Sequence, residues 1–339
     1  MLKIIVCGFA FAAFFIGGSA IFAQQTEHQG IALYHQGKYA EAISVLNKAV
    51  KQKESKTDAN LWNALGLANT AVGDFKKAKK AFENATSYDR TNSNFWSNLA
   101  YAKLRLRDLN GAQSAADKAI AFDPKNATAY YIRGLASLWE LNFDEAQKNA
   151  DIALATNPKF ADSYILSALI QMGRLGKEIE GSGSTDSIRE NVIFLKNAVD
   201  ILNTGLTACG DCPKKANLQK ELEPIDFFFK NYSKEKPKPP VPGVIPVPEP
   251  GVTPYKVLSK PRATYTQAAR EANVQGTIRI IAMLGTNGRV DYVFVLKGLG
   301  HGLDEQAIAA ARAIKFEPKI KDGKPVPVVI TLEYGFSIR

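Results

Sequence analysis

The first half of the chain repeats one pattern of bulky and small residues every 34 positions. Large aromatic residues recur at this spacing, at Trp62, Trp96, Tyr130 and Tyr164. Small residues follow four positions behind each of them, at Gly66, Ala100, Gly134 and Ala168. Two sets of alanines keep the same register, at Ala78, Ala112 and Ala146 and at Ala85, Ala119 and Ala153. A register kept over successive copies predicts a repeat architecture with one supersecondary unit per copy.

Each unit is predicted to be a hairpin of two helices. Ala78, Phe82 and Ala85 share one face of the second helix, because they are spaced i, i+4 and i+7. The Gly-Asp pair at 73–74 and the Leu-Asn pair at 141–142 predict tight turns between the helices. Because no single hairpin can bury its apolar face alone, the units are expected to stack into a solenoid.

The repeat continues weakly at both ends. Upstream, Gly30, Ala42 and Ala49 fit the register if the connection near Lys51–Thr57 is two residues longer. Downstream, the composition of residues 176–187 predicts a flexible insertion. Two further helices are expected after it, at Ser187–Ala208 and Ala216–Tyr232. We interpret this pair (176–233 with the insertion) as the cap that the end of a solenoid requires.

The unit at 62–82, WNALGLANTAVGDFKKAKKAF, resembles the tetratricopeptide repeat family. It has the family's W-x2-L-G, followed later by A-x3-F, whereas Asn69 stands where tyrosine is usual and alanine replaces the later aromatic at Ala116 and Ala150. The resemblance covers about residues 24–170, roughly four repeats and part of a fifth. It implies an all-α solenoid, assigned here to residues 24–175, that binds an unidentified peptide or protein.

The same resemblance places the first helix of each unit on the concave surface. It therefore makes candidate partner-binding residues of Asn63, Tyr101, Arg105 and Tyr131. The alternative is that these are ordinary solvent-facing side chains. The family's clamp for a peptide C-terminus, a set of lysines and asparagines, is not found in this sequence.

A proline-rich segment separates the helical half from the rest. Residues 234–254, KEKPKPPVPGVIPVPEPGVTP, have proline at nearly every second or third position. This composition forms no core and favours extended polyproline II. At ~3.1 Å per residue the segment reaches about 65 Å, so it is interpreted as a spacer.

Beyond the spacer, the pattern of apolar positions alternates as in strands. Gly276–Met283 and Val290–Lys297 are expected to form a hairpin around the Asn-Gly turn at 286–289. Leu303–Ile314 is predicted to be helical, and Val328–Phe336 alternates again as a final strand. A short helix over Tyr265–Asn273 precedes them. The prediction is a small α+β domain with an antiparallel sheet, at residues 255–339, after the all-α solenoid.

This order of elements is similar to the C-terminal domain of the TonB energy-transducer family. Three motifs carry the resemblance: Tyr265-x3-Ala269-Arg270 with Val274-x-Gly276, then Leu303-Asp304 with Ala307, Ala310 and Phe316-x-Pro318, and finally Gly323-x-Pro325-Val326 leading to Phe336. Thr266 replaces the proline that usually follows the tyrosine.

The resemblance implies that the closing strand accepts an extended peptide from an outer-membrane TonB-dependent transporter. Strand addition uses the free backbone groups at a sheet edge. The implied partner-binding residues are those of the strand edge, Val328, Ile330, Leu332, Tyr334 and Phe336, flanked by the segments that contain Arg289 and Lys315. The alternative is a shared fold whose edge is covered in a dimer, in a periplasmic scaffold that transduces no energy.

The N-terminal segment predicts export. Lys3 precedes residues 4–23, which are uncharged and largely apolar. This is typical of a secretory signal peptide cleaved after Ala23, with Ala20 as a second candidate site. An uncleaved anchor remains open, since 20 uncharged residues also span a bilayer. Either outcome predicts the periplasm or cell envelope, and an anchor would add an inner-membrane motor complex to the expected partners.

Composition adds limits. The chain has 46% apolar and 22% charged residues, which excludes a mostly disordered chain and a multi-span membrane protein. The formal net charge of +10 is attributed to attraction to anionic envelope surfaces, because export makes a nucleic-acid partner unexpected.

The best chemical candidate is the pair Cys209 and Cys212. In an exported chain these cysteines are expected to form a disulfide, with a redox pair or half a zinc site as alternatives. The glycines of 298–302 lack the rest of a phosphate-binding fingerprint and are interpreted as a turn. No catalytic constellation, metal site or cofactor motif is recognised, so we expect a binding protein and no enzyme.

Overall fold

The computed structural model describes residues 29–53, 55–179, 185–234 and 250–337. The predicted leader or anchor at 4–23 and its cleavage site lie outside these residues, as does most of the proline-rich segment. The described residues form two compact units, with the division between Ser163 and Tyr164.

The first unit is a row of helical hairpins. Residues 29–35 form α1, and the helices that follow are α2 (Tyr39–Ala49), α3 (Ala59–Ala71), α4 (Phe75–Tyr88), α5 (Ser93–Arg105), α6 (Leu109–Phe122), α7 (Ala127–Trp139) and α8 (Phe143–Thr156). The small residues of the 34-residue register lie in the contacts between helices, since Ala78, Ala85, Ala112 and Ala119 are all fully buried. The predicted all-α solenoid is confirmed.

Short polar side chains begin the helices at the same repeat positions. The first helices are capped by Asp58, Asn92 and Asn126. The second helices are capped by Asp74, Asp108 and Asn142. In each case the side chain accepts a hydrogen bond from a backbone N–H of the first turn, which contributes about 1 kcal/mol per cap. The turns predicted at 73–74 and 141–142 therefore lie where the register places them.

The residue before each second helix has a related backbone conformation. In each of the four hairpins from α1 to α8, the residue immediately before the N-cap of the second helix has a positive φ. These residues are Gly37 (75°), Gly73 (81°), Arg107 (64°) and Leu141 (59°). Gly37 and Gly73 are two residues further apart than Gly73 and Arg107. This difference agrees with the longer connection expected near Lys51–Thr57.

Leu141 is a site where a substitution should stabilise the solenoid. Its side chain is 71% exposed, and its φ of 59° is unfavourable for a residue with a Cβ. We therefore expect Leu141→Gly to raise the free energy of unfolding by about 1 kcal/mol in a urea titration. Leu141→Ala keeps the Cβ and should change little; equal gains from the two variants would contradict this explanation.

The second unit begins within α9 (Ala161–Ile179) and continues with α10 (Thr185–Glu190), α11 (Val192–Cys209) and α12 (Lys215–Tyr232). The prediction of a single helix over Ser187–Ala208 is wrong, because the chain turns at Asn191. The side-chain Nδ2 of Asn191 donates to the carbonyl of Ser187, 3.0 Å away, which competes with helix continuation. The predicted insertion also starts later than residue 176, since α9 extends to Ile179.

The remaining elements are short strands and two helices. They are β1 (Val252–Thr253), β2 (Lys256–Ser259), α13 (Gln267–Glu271), β3 (Gly276–Leu284), β4 (Val290–Lys297), α14 (Leu303–Arg312), β5 (Lys315–Glu317), β6 (Lys319–Lys321), β7 (Lys324–Val326) and β8 (Val328–Phe336). The main sheet has the order β4-β3-β8 and is antiparallel throughout. The predicted α+β fold is confirmed.

One face of the main sheet packs against α14 and α13. Ile278, Ile280 and Ala282 of β3 lie in this core together with Leu303 and Ala307 of α14, all fully buried. Where a proline was expected, Thr266 caps α13. Its hydroxyl accepts from the N–H of Ala269 and donates to the carbonyl of His301.

Candidate partner-binding sites

Strand β8 forms one edge of the main sheet. It pairs with β3 through nine consecutive residues, from Gly276↔Phe336 to Leu284↔Val328, without a bulge. In the described structure it has no strand on its other side. A regular strand of this length offers an edge of about 30 Å to an incoming chain.

Two contacts establish which backbone groups of β8 point away from β3. The N–H of Gly285 donates to the carbonyl of Arg289 across the β3–β4 turn. Because backbone groups alternate in direction along a strand, those of Met283 and Ile281 also point toward β4, and those of Ala282 and Ile280 point toward β8. Ala282 and Ile280 pair with Ile330 and Leu332, whose backbone groups therefore point toward β3. Independently, the carbonyl of Glu333 accepts from Lys260 Nζ at 3.0 Å. The outward backbone groups are therefore those of Val329, Thr331, Glu333 and Gly335.

The five residues predicted from the alternation of β8 have their side chains on the core face. Leu332, Tyr334 and Phe336 are 5–6% exposed, and Val328 and Ile330 are partly buried. These side chains hold the domain together. What the edge offers a partner is therefore its backbone, together with the side chains of the intervening residues.

A cleft of about 450 Å³ lies at the C-terminal end of this edge. It is lined by residues 260–263, Tyr265 and residues 333–337. Lys260 lies along this cleft, because its Nζ contacts the carbonyl of Glu333 and also lies 4.9 Å from the centroid of the Tyr334 ring. The carboxylate of Glu333 is bound by Arg279 Nε at 2.9 Å. Lys260 and Arg262 give the cleft a positive rim.

Arg289 and Lys315, the two cations expected to flank the edge, do not line this cleft. Arg289 is in the turn between β3 and β4, and Lys315 is in β5, opposite Ser259 of β2. Lys260 was missed because it is 73 residues from Glu333 in sequence. No local pattern indicates such a contact.

The Tyr334 hydroxyl lowers the stability of this domain. It is buried and has no hydrogen-bond partner among the described residues, and burial raises the pKa of Tyr334. Removing an unpaired buried hydroxyl relieves its desolvation cost, so Tyr334→Phe should raise the free energy of unfolding by about 1 kcal/mol. Tyr265→Phe is the matched control. The Tyr265 hydroxyl donates to the carbonyl of Val274, and its loss should cost about 1 kcal/mol. Equal effects in thermal unfolding would refute the assignment.

On the solenoid, Tyr101 and Arg105 lie in one cluster. An Arg105 Nη donates to the Tyr101 hydroxyl at 2.9 Å, and the guanidinium lies 4.2 Å from the centroid of the Phe75 ring. Phe75 begins α4 in the preceding hairpin, so two units together position this cation. A guanidinium stacked on a ring keeps donors free for a partner.

The other two candidates make different contacts. Asn63 Oδ1 accepts from Nδ2 of Asn98 at 2.8 Å, which joins the first helices of two units. Tyr131 is partly buried, and its ring contacts Phe160 edge-on at 5.4 Å. Burial, with a contribution from Asp162, raises the pKa of Tyr131. The Tyr131 ring thus contributes to packing against the residues that follow α8.

Cys209 and Cys212 form a disulfide in the turn between α11 and α12, with their Cα atoms 5.3 Å apart. Over the described ranges no group of three or more His, Cys, Asp and Glu side chains is placed to hold a metal ion. Within the same ranges, no helix is both long and apolar enough to cross a membrane.

Comparison with known proteins agrees with these two modules. Residues 69–136 match the tetratricopeptide repeat model, and residues 261–338 match the model described as Gram-negative bacterial TonB protein C-terminal. Both families are interaction or scaffold domains without catalytic activity of their own. No match to the chain is found among curated protein sequences.

Similar solved structures are repeat proteins. A thermophilic tetratricopeptide repeat protein of Thermus thermophilus is 18% identical, with a TM-score of 0.48, over 60% of this chain and 99% of that one. The MamA protein is 20% identical, with a TM-score of 0.43, over 57% and 94%. The first repeat domain of Spaghetti, bound to an HSP90 peptide, is 22% identical, with a TM-score of 0.33, over 34% and 92%. By its two family matches, the chain combines a tetratricopeptide-repeat segment with a domain similar to the C-terminal domain of Gram-negative TonB proteins.

Proposed function

We propose that this chain is a cell-envelope interaction protein of the TonB type and has no catalytic activity. Its C-terminal domain docks an extended peptide of an outer-membrane transporter by strand addition to β8. Its solenoid binds a second protein through the concave surface that includes Asn63, Tyr101 and Arg105. Export by residues 1–23 would place both modules in the periplasm.

The observation that carries the proposal is the free edge of β8. Four residues, Val329, Thr331, Glu333 and Gly335, point their backbone groups away from β3. An incoming strand satisfies such groups by main-chain hydrogen bonds. The carbonyl of Glu333 is already bound by Lys260, so a peptide has to displace that ammonium group. A lysine at a sheet edge commonly protects against unwanted strand pairing. Here it would favour peptides whose contacts compensate for loss of the bond between Lys260 and Glu333.

Thr331→Pro tests the edge directly. Proline removes an outward N–H but leaves the ladder to β3 intact, as is tolerated on edge strands. We expect transporter-derived peptides to bind at least tenfold more weakly to this variant, or about 1.4 kcal/mol, in isothermal titration calorimetry. Thr331→Val keeps the N–H and the branched side chain, and should bind as the unchanged protein does. Unchanged binding by a folded Thr331→Pro variant would refute strand addition at β8.

The same edge supports the alternative of a non-transducing scaffold, in which β8 pairs with a second copy of the chain. Sedimentation separates the two functions. A dimer that Thr331→Pro dissociates, together with no affinity for transporter peptides, would favour the scaffold. The intact mass of the protein from its native envelope decides the remaining point, because a mass beginning at Gln24 excludes direct coupling to an inner-membrane motor.

A further inference from the structure

The main sheet of the C-terminal domain is apolar on both faces. Ile280 and Ala282 face the core with α14, so by alternation Ile281 and Met283 face the other way. Yet Ile281 is fully buried and Met283 is 7% exposed. Their cross-strand neighbours on β4 are aromatic: Phe294 lies opposite Ile281, and Tyr292 lies opposite Met283. We call the surface formed by Ile281, Met283, Tyr292 and Phe294 the outer face.

Helices from before the proline-rich segment cover this outer face. Phe228 of α12 contacts Tyr292, with ring centroids 5.4 Å apart and planes inclined at 62°. Gly176 of α9 faces Phe294, because a Cβ built at Gly176 would lie 3.8 Å from Cζ of that ring. Burial raises the pKa of Tyr292 to about 12, as expected for a phenol taken out of water at this contact.

We propose that the outer face is an interaction surface whose partner is the chain's own helical cap, α9 and α12. The docked helices fix the C-terminal domain relative to the cap, so the proline-rich segment does not act as a flexible linker between independently moving parts.

The exposure of the neighbouring residues agrees with a specific interface. The run Tyr292-Val293-Phe294-Val295 is apolar at consecutive positions, as is typical of a strand covered on both sides. The part of the same face that belongs to β8 is open, because Thr331 and Glu333 are exposed. Docking of the cap therefore leaves the edge of β8 accessible.

Acidic residues make the interface sensitive to pH. Asp291 lies beside Tyr292, and its carboxylate packs over Gly285 in its own hairpin. Two causes raise its pKa, burial and the nearby Glu223, and the second of them crosses the interface from α12. Glu221 of α12 and Arg312 of α14 act on Tyr292 with opposite signs. A carboxyl whose pKa is higher in the docked state binds more protons there. Docking should therefore be strongest in acid and weaken as pH rises from the ordinary range of Asp through the raised pKa of Asp291.

Two substitutions at Gly176 test the docking in the full-length chain. Gly176→Ala places a methyl group in ordinary contact with Phe294, whereas the indole of Gly176→Trp extends beyond the Cβ and is expected to collide with the Phe294 ring. Small-angle X-ray scattering should give the unchanged maximum dimension for Gly176→Ala and a larger one for Gly176→Trp. Circular dichroism and binding of transporter peptides to β8 should be retained by both variants, which separates this test from that of strand addition.

A nicked protein measures the affinity. With a specific protease site placed within 235–249, the cleaved wild-type chain should elute as one complex in size-exclusion chromatography. Gly176→Trp should weaken the association of the fragments at least tenfold, and Asp291→Asn should tighten it at pH 7 and flatten its dependence on pH. Wild-type fragments that separate at micromolar concentration, or Gly176→Trp fragments that stay together like the wild type, would overturn the proposal.

Discussion

Replacing Gly66 with alanine is expected to lower the free energy of unfolding of the solenoid by about 2 kcal/mol. A Cβ at this position would lie 2.5 Å from Cδ1 of Phe82 and closer still to Cε1, and this ring is 1% exposed and closely packed. Overpacking of this kind costs about 3 kcal/mol, whereas alanine gains about 1 kcal/mol over glycine in a helix. Urea denaturation monitored by circular dichroism measures the difference.

The same experiment in a Phe82→Ala background should give the opposite sign. Phe82→Ala alone is expected to cost about 4 kcal/mol because it leaves a cavity in a packed core. Once the ring is gone, Gly66→Ala should stabilise by about 1 kcal/mol through helix propensity and partial filling of the cavity. The next repeat has this combination naturally, with Ala100 and Ala116 at the corresponding positions. Destabilisation of equal size in both backgrounds would contradict a direct contact.

Much of the solenoid could be predicted because its determinants are local and repeated. The capping side chains, the positive-φ turn residue and the small residues at helix contacts all recur at one spacing. Even Leu141, which is unfavourable at its φ of 59°, was placed in a turn by its register. The break at Asn191 could not be predicted in the same way, because it occurs once, where the repeat has ended.

The candidate site on β8 was less predictable. Hydrophobic alternation shows which side chains are buried, and it therefore selected Leu332, Tyr334 and Phe336. The direction of the outward backbone groups depends on the register with β3, which is set by residues about 50 positions away. Likewise, nothing local to Tyr292 indicates that Phe228 covers it. The consecutive apolar residues of β4 were a usable signal, since they are unusual for a strand with one face in water.

Asn126→Ala is expected to destabilise the solenoid by about 3 kcal/mol. Asn126 is 7% exposed, and its Oδ1 accepts from the N–H of Ala129 as the cap of α7. Its Nδ2 also donates to the hydroxyls of Ser93 and Ser97 in the preceding unit, at 2.6 and 3.0 Å. The substitution removes the cap, worth about 1 kcal/mol. It also removes two buried hydrogen bonds, worth about 1 kcal/mol each.

Asn92→Ala is the matched control, because Asn92 caps α5 at the same repeat position. Its Oδ1 accepts from Asn94 and Phe95 near the surface, so the loss should be about 1 kcal/mol. The extra loss of stability at Asn126 should be smaller in a Ser97→Ala background, because the bond between Asn126 and Ser97 is already absent there. A double-mutant cycle should give a coupling energy of about 1 kcal/mol between the two residues. Ser97→Ala alone leaves the bond from Asn126 Nδ2 to the Ser93 hydroxyl in place, although it also removes the bond from Ser97 to the carbonyl of Ser93. Equal losses at Asn92 and Asn126 would mean that Asn126 acts as a cap alone and that adjacent units are held together by apolar packing without this polar connection.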